Sequence, residues 1–172
     1  AGHLLVIINN TLTLSMVEAR IPARVAKVIP SVVHAAGRGA SLVVFGGRCT
    51  HTDRALLMRL LEAVSRPYVI PEEAARTASD LTSCGPAFLS FVFQSLAEAA
   101  CAQAPALSRE AAAAMVRETV AATCALMEQT GYTFGDVIER VSTPGGVTAA
   151  GIEVLRERSD GLWAAVLRAT AG

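Results

Sequence analysis

Leu81-Thr82-Ser83-Cys84-Gly85-Pro86-Ala87-Phe88-Leu89-Ser90-Phe91-Val92-Phe93-Gln94-Ser95-Leu96-Ala97 is the longest stretch of the chain without an Asp, Glu, Lys, Arg or His side chain. Interrupted by Gly85-Pro86 and Gln94, it falls short of the ~20 apolar residues a bilayer-spanning helix needs, and it predicts a buried helix. As far as Leu107 the only charge is Glu98. A helix so apolar on every side needs neighbours all round. About 100 residues of helical sequence cannot easily surround it. A second copy of the chain is the expected cover, and a monomeric bundle around one apolar helix is the alternative. Gly85-Pro86 marks the start or kink of this helix, with Asp80 or Ser83 as its cap.

On the N-terminal side the pattern changes. Short β-rich runs at Leu4–Ile8, Val25–Ile29, Leu42–Phe45 and Tyr68–Ile70 alternate with helical ones at Leu12–Ala19 and Asp53–Val64. Thr52 or Asp53 can cap the second helix, whose expected buried face carries Leu56, Leu57, Leu60 and Leu61. Strand signals stop before Pro71, and Pro71-Glu72-Glu73 opens the first of five or six Ala-rich helices. These are broken near Ala104-Pro105, Gly131-Tyr132, Pro144-Gly145-Gly146 and Ser159-Asp160-Gly161. A boundary is expected near residue 71.

The 172 residues are 52% hydrophobic and 17% charged, with 15 basic and 15 acidic side chains. Mean hydropathy is +0.45. This excludes a disordered or solvating chain, and the charge balance leaves no electrostatic footprint for nucleic acid or an anionic membrane. A small ligand or another protein chain is the expected partner. Cys49, Cys84, Cys101 and Cys124 form no CxxC pair and have no His at zinc-ligand spacing, so they read as reduced thiols of a cytoplasmic protein, with no metal site. No Met and no basic segment precede the first apolar run. No signal peptide is expected, and the chain reads as the later part of something longer.

The segment Ser142-Thr143-Pro144-Gly145-Gly146-Val147-Thr148 joins two predicted helices, the second running from about Val147 to Arg158. Hydroxyls, Pro and paired glycines at a helix start are the parts of an anion cradle, suited to a carboxylate. The alternative is a plain turn capped by Thr143, with Pro144 at the first helical position. No G-x-G-x-x-G occurs, so the phosphate-binding turn of a dinucleotide fold is missing. His3, His34 and His51 read as solvated surface residues.

Taken together, the two segments resemble the signatures of the pyrroline-5-carboxylate reductase family. Its members carry S-G-S-G-P-A-Y where this chain has Thr82 to Phe88, and S-P-G-G-x-T where it has Thr143 to Thr148. The sequence is closer still to the late competence (ComER) branch, in Val28-Ile29-Pro30-Ser31, Gly39-Ala40-Ser41-Leu42 and Ser79-Asp80-Leu81. The resemblance covers essentially the whole chain, while family members extend further at the N-terminus. It implies an α/β, partial Rossmann-like segment over residues 1–71. Residues 72–172 would be an all-α dimerisation and substrate-loop domain, like the C-terminal domain of 6-phosphogluconate dehydrogenase.

The resemblance further implies NAD(P)H-dependent hydride transfer to the C=N carbon of a cyclic imino acid, yielding proline from pyrroline-5-carboxylate. Thr143, Gly145, Gly146 and Val147 would cradle the substrate carboxylate, and the Thr148 hydroxyl would bond the ring nitrogen as the catalytic group. Ser83 and Cys84, in place of Gly and Ser, add bulk beside the substrate. Asn10-Thr11 stands where reductases have Ala-Gly, and Ser31-Val32-Val33 where they have Asn-Thr-Pro. Both loops border the NADP or NAD pocket, making Asn10 and Ser31 the cofactor-side residues. Without the Gly-rich turn, this chain alone is expected to bind no dinucleotide. The other class of function is a non-catalytic dimeric scaffold or metabolite sensor in competence, derived from the same fold. A β-hydroxyacid dehydrogenase is set aside, because Lys27, the single lysine, is followed four residues later by Ser31 and not Asn.

Overall fold

The computed structural model describes residues 2–171. Ala1 and Gly172, the outer ends of the two expected domains, lie outside the described residues. The chain divides into two compact units. One runs up to Phe88 and includes the C-terminal residues from Thr170, and the other is Leu89–Ala169.

The first unit is built on β1 (Leu4–Ile7), β2 (Arg24–Ile29), β3 (Ala40–Phe45) and β4 (Arg66–Val69), in that spatial order. β1 and β2 are parallel, with Leu5 opposite Val25. β3 runs antiparallel to β2, with Val28 opposite Val43, and β4 is parallel to β3. The reversal at β3 follows from its short connection. Between Ile29 and Ala40 the chain makes only a 3₁₀ turn, Val32–Ala36, ended by Gly37 at φ +66°. A parallel return would need a crossover of a dozen or more residues.

Alternation along the strands supplies two cores. Val25, Ile29, Leu42 and Val44 face α1 (Leu14–Glu18) and α3 (Ala75–Thr82), through Leu14, Val17, Ala75 and Ala78. Ala26, Val28 and Val43 face α2 (His51–Glu62), through Leu57, Met58 and Leu61. Leu56 and Leu60 were expected on that buried face but are 43% and 61% exposed. They lie a residue to the side of the Leu57–Leu61 line. The cap of α2 is neither Thr52 nor Asp53 but Thr50, which shares a capping box with Asp53. Lys27 is buried, and its ammonium meets Glu72 Oε1 at 2.9 Å; the same oxygen accepts the Leu14 N–H at 2.8 Å. Because α3 returns to the sheet, the first unit runs past the end of the strand pattern at Val69 and on to Phe88.

The second unit holds α4 (Gly85–Gln103) from Leu89 onward, α5 (Arg109–Thr130), α6 (Phe134–Val141), α7 (Val147–Ser159) and α8 (Leu162–Thr170) up to Ala169. Ser108 and Thr133 cap α5 and α6 through their side chains, and Gly131 at φ +75° ends α5. Ala97 and Ala112 are its buried apolar residues. Leu89, Phe91, Val92, Leu96, Met115 and Phe134 are all exposed. The burial expected for Leu81 to Ala97 is not supplied within the chain. By length and composition alone, the helical run Glu72–Gln103 is apolar enough to cross a bilayer.

Candidate functional site

In the second unit, α6 stops at Val141 and Ser142 leaves the helix, its N–H still bonded to the Ile138 carbonyl at 2.9 Å. Thr143 to Gly146 then form a tight turn closed by Gly146 N–H to Thr143 C=O at 2.9 Å. Pro144 holds its second position and Gly145, at φ +74°, its third, the residue pattern of a type II turn. Gly146 is required by space, since a Cβ there would lie 2.6 Å from Thr143 Oγ1. Gly146 is also the N-cap of α7, with no side chain to cap the helix, and Val147 is 92% exposed. Pro144 is therefore a turn residue and not the first helical position, and Thr143 does not cap α7.

Among the described residues, no hydrogen bond engages the N–H groups of Val147 and Thr148 or the Thr148 hydroxyl. These N–H groups belong to the first turn of a 13-residue helix, where N–H groups have no intrahelical partner and face the positive end of the helix dipole. Thr143, Gly145, Gly146, Val147 and Thr148 are thus gathered in one loop and helix head.

The first unit brings Ser31 and Ser83 together. Ser31 Oγ donates to the Thr82 carbonyl at 2.7 Å, and Ser83 Oγ donates to the Pro30 carbonyl at 2.9 Å. Each hydroxyl proton is committed to the other's segment. Ser83 ends α3, and Cys84 follows with its N–H on the Ser79 carbonyl at 3.0 Å and Arg76 Nη2 at 3.5 Å from its sulfur. Asn10 follows β1, as Ser31 follows the parallel β2, so both stand at the carboxyl-end edge of that strand pair, where open α/β sheets receive ligands. The turn after β1 is organised by Asn9, whose Oδ1 accepts from Thr11 N–H at 2.8 Å and from the Thr11 hydroxyl at 2.6 Å.

Two groups escaped the sequence reading. Asp80 is no helix cap. It lies inside α3, 2% exposed, paired with Arg76 and accepting from Thr170 Oγ1 at 2.8 Å. Burial alone would raise its carboxyl, but the Thr170 and Arg76 hydrogen bonds and the Arg76 charge outweigh that and hold it below the ordinary 3.8. His34 is not a free surface residue either. Half-buried, its Nδ1 faces Ser31 N–H at 3.3 Å and its Nε2 lies 3.2 Å from the Ala40 carbonyl. Its Ser-x-x-His spacing copies a capping box, with His where Glu or Gln is usual, and that spacing was the available signal.

Two strand-to-helix turns bear on a dinucleotide. The β1–α1 turn, residues 8–13, has no glycine. The β3–α2 turn has Gly46 and Gly47, but Asp53 Oδ2 accepts the Thr50 N–H at 2.8 Å and Thr50 Oγ1 accepts the Asp53 N–H at 3.2 Å. Because β3 runs antiparallel to β2, that turn also lies at the sheet edge opposite Asn10 and Ser31, so neither turn offers a glycine-rich cradle at that edge and the residues present do not fit a pyrophosphate there. Among the described residues, no three His, Cys, Asp or Glu side chains come together as a metal site.

Comparison with known proteins agrees with this architecture. The pattern of the family described as pyrroline-5-carboxylate reductase dimerisation matches residues 72–171. ComE operon protein 4 of Bacillus subtilis (strain 168) is 36% identical over 153 residues, covering 89% of this chain and 56% of that protein. Pyrroline-5-carboxylate reductase 3 of the same organism is 32% identical over 142 residues, covering 83% and 52%. The chain thus spans about half the length of these relatives. A pyrroline-5-carboxylate reductase from Coxiella burnetii superposes with a TM-score of 0.88 at 22% identity, over 97% of this chain and 63% of that one. The Plasmodium falciparum pyrroline carboxylate reductase, solved with NADP bound, gives 0.85 at 21% identity, over 97% and 66%. At such identities the likeness shows the fold, a partial Rossmann-like sheet followed by helices. Together with the match across the helical half, it means that this chain belongs to the pyrroline-5-carboxylate reductase family.

Proposed function

We propose that the chain is the C-terminal part of a pyrroline-5-carboxylate reductase-like, NAD(P)H-dependent oxidoreductase of the late competence type. In the intact protein it would reduce a cyclic imino acid such as pyrroline-5-carboxylate to proline. The observation that carries this reading is the uncapped head of α7, where Val147 and Thr148 N–H groups find no acceptor among the described residues. The helix dipole and these donors favour the substrate carboxylate. Thr148, one helical position further on, offers its unengaged hydroxyl to the ring nitrogen, with Thr143, Gly145 and Gly146 completing the cradle. Catalysis by these residues is orientation and electrostatics, with no covalent intermediate. The reducing equivalent would come from a nicotinamide, for whose pyrophosphate the chain has no G-x-G-x-x-G turn, and Asn10 and Ser31 would border that cofactor in the intact protein.

The exposed apolar face of α4 is assigned to a homodimer contact in preference to lipid, in keeping with the dimerisation pattern over residues 72–171. Four unpaired cysteines are compatible with a cytoplasmic protein. The reading is tested by titrating proline and acetate into the chain and following the amides of Gly145 to Thr148. Saturable shifts confined to that loop support it, and their absence removes the cradle. In the intact protein, Thr148→Val should lower turnover from about fivefold to more than a hundredfold with folding intact, the effect of a lost hydrogen bond worth about 1 to 3 kcal/mol. An unchanged rate would take Thr148 out of the mechanism.

A second reading, a non-catalytic dimeric scaffold or metabolite sensor, is favoured by the commitment of the Ser31 and Ser83 hydroxyls to backbone carbonyls. NAD(P)H oxidation by the intact protein with pyrroline-5-carboxylate separates the two readings.

A further inference from the structure

A hydrogen-bonded path runs from the start of β3, through His34, to the junction of α3 and α4. Because His34 Nδ1 faces the Ser31 N–H at 3.3 Å, it is the unprotonated acceptor; Nε2 then carries the hydrogen and donates to the Ala40 carbonyl at 3.2 Å. The loop is closed against the ring. Gly39 has φ +97°, and a Cβ on it would meet Val33 Cγ2 at 2.4 Å and His34 Cδ2 at 3.6 Å. Ser31 is buried, and its hydroxyl carries the path on to the Thr82 carbonyl, while Ser83 reaches back to Pro30. Ser83 and Cys84 N–H groups both end on the Ser79 carbonyl, at 2.8 and 3.0 Å.

We propose that His34 is a positioning residue: by fixing Ser31, it sets where the Ser83–Cys84 segment stands and couples the loop after β2 to the head of α4. Its functional weight rests on the reading of Ser83 and Cys84 as substrate-bordering residues. The coupling itself does not. One imidazole thus holds a loop assigned to the cofactor side in register with a segment assigned to the substrate side. An aliphatic side chain at position 34 would fill similar space but break both ring contacts.

Residue-resolved amide exchange on the 172-residue chain tests this. In His34→Leu, exchange at Ser31, Ser83 and Cys84 should rise about fivefold or more, the effect of one lost hydrogen bond, while α2 amides keep their rates. His34→Gln, whose Oε1 accepts from the N-cap N–H as in a capping box, should restore protection at all three. Ser31→Ala should raise exchange at Ser83 and Cys84 with the imidazole in place. The proposal is overturned if His34→Leu affects only residues 31–40, if Ser31→Ala leaves Ser83 and Cys84 unchanged, or if His34→Gln fails to restore them. Should His34→Leu not fold, Ser31→Ala and His34→Gln decide the matter. Proline titration at Gly145–Thr148 is a separate measurement, so the cradle and this coupling can fail independently.

Discussion

The two compact units fill their interiors in opposite ways. In the first, Val25, Ala26 and Val43 are fully buried, and each sheet face is covered by helices of the same chain. In the second, the buried apolar residues are alanines, while Phe91 is 72% exposed and Met115 60%. Large apolar side chains stabilise a fold only where water is removed from them, at about 25 cal/mol per Å². The central strands β2 and β3 meet that condition within the chain, although Val6 and Val69 on the outer strands stay exposed. Under the homodimer proposed above, the helical unit would meet it when a second copy covers α4, and its stability would then depend on protein concentration.

The comparison is broken most directly at Phe91. Phe91→Asp places a carboxylate in the assigned dimer contact at a cost of about 3 to 5 kcal/mol, and light scattering should then find a 17.9 kDa particle or an unfolded helical unit. A dimer that survives this change would locate the contact elsewhere. Val43→Ala removes about 2 kcal/mol from the sheet unit, and thermal melts should show the same loss at every protein concentration.

Asp80 gives a pH handle on the first unit. Its carboxyl is depressed in the folded chain, so its contribution is fully present above about pH 4 and lost as pH falls through the depressed folded value. Asp80→Asn should cost about 1 to 2 kcal/mol at neutral pH, and acid titration of stability should bring variant and native chain together. Gly145→Ala has the smallest effect. A side chain at φ +74° costs about 1 kcal/mol, and it should weaken proline binding while leaving dimerisation intact.

Periodicity disclosed much of this architecture. The runs at Leu4–Ile8, Val25–Ile29 and Leu42–Phe45 became β1, β2 and β3, and the breaks at Gly131 and Gly161 fell at helix ends. Local pattern does not encode strand direction, so the antiparallel turn at β3 could be read only from the length between Ile29 and Ala40. Asp80 resembled a cap because Ser, Asp and Gly-Pro cluster there, but its partners, Arg76 and Thr170, meet it through the fold. In the Ser142–Thr148 loop the glycines at 145 and 146 were legible, because their turn is local. The exchange of hydroxyls between Ser31 and Ser83 was not, since 52 positions in sequence separate them.

Lys27 is the single lysine of the chain, and it is sealed between β2 and Glu72. Acylating reagents attack the uncharged, solvent-reached amine, so its modification requires that pair to separate and the amine to reach water. Lys27 is therefore a built-in chemical clock for the first unit: its rate of acylation times the opening of the Lys27–Glu72 pair, with no second lysine side chain to blur the record.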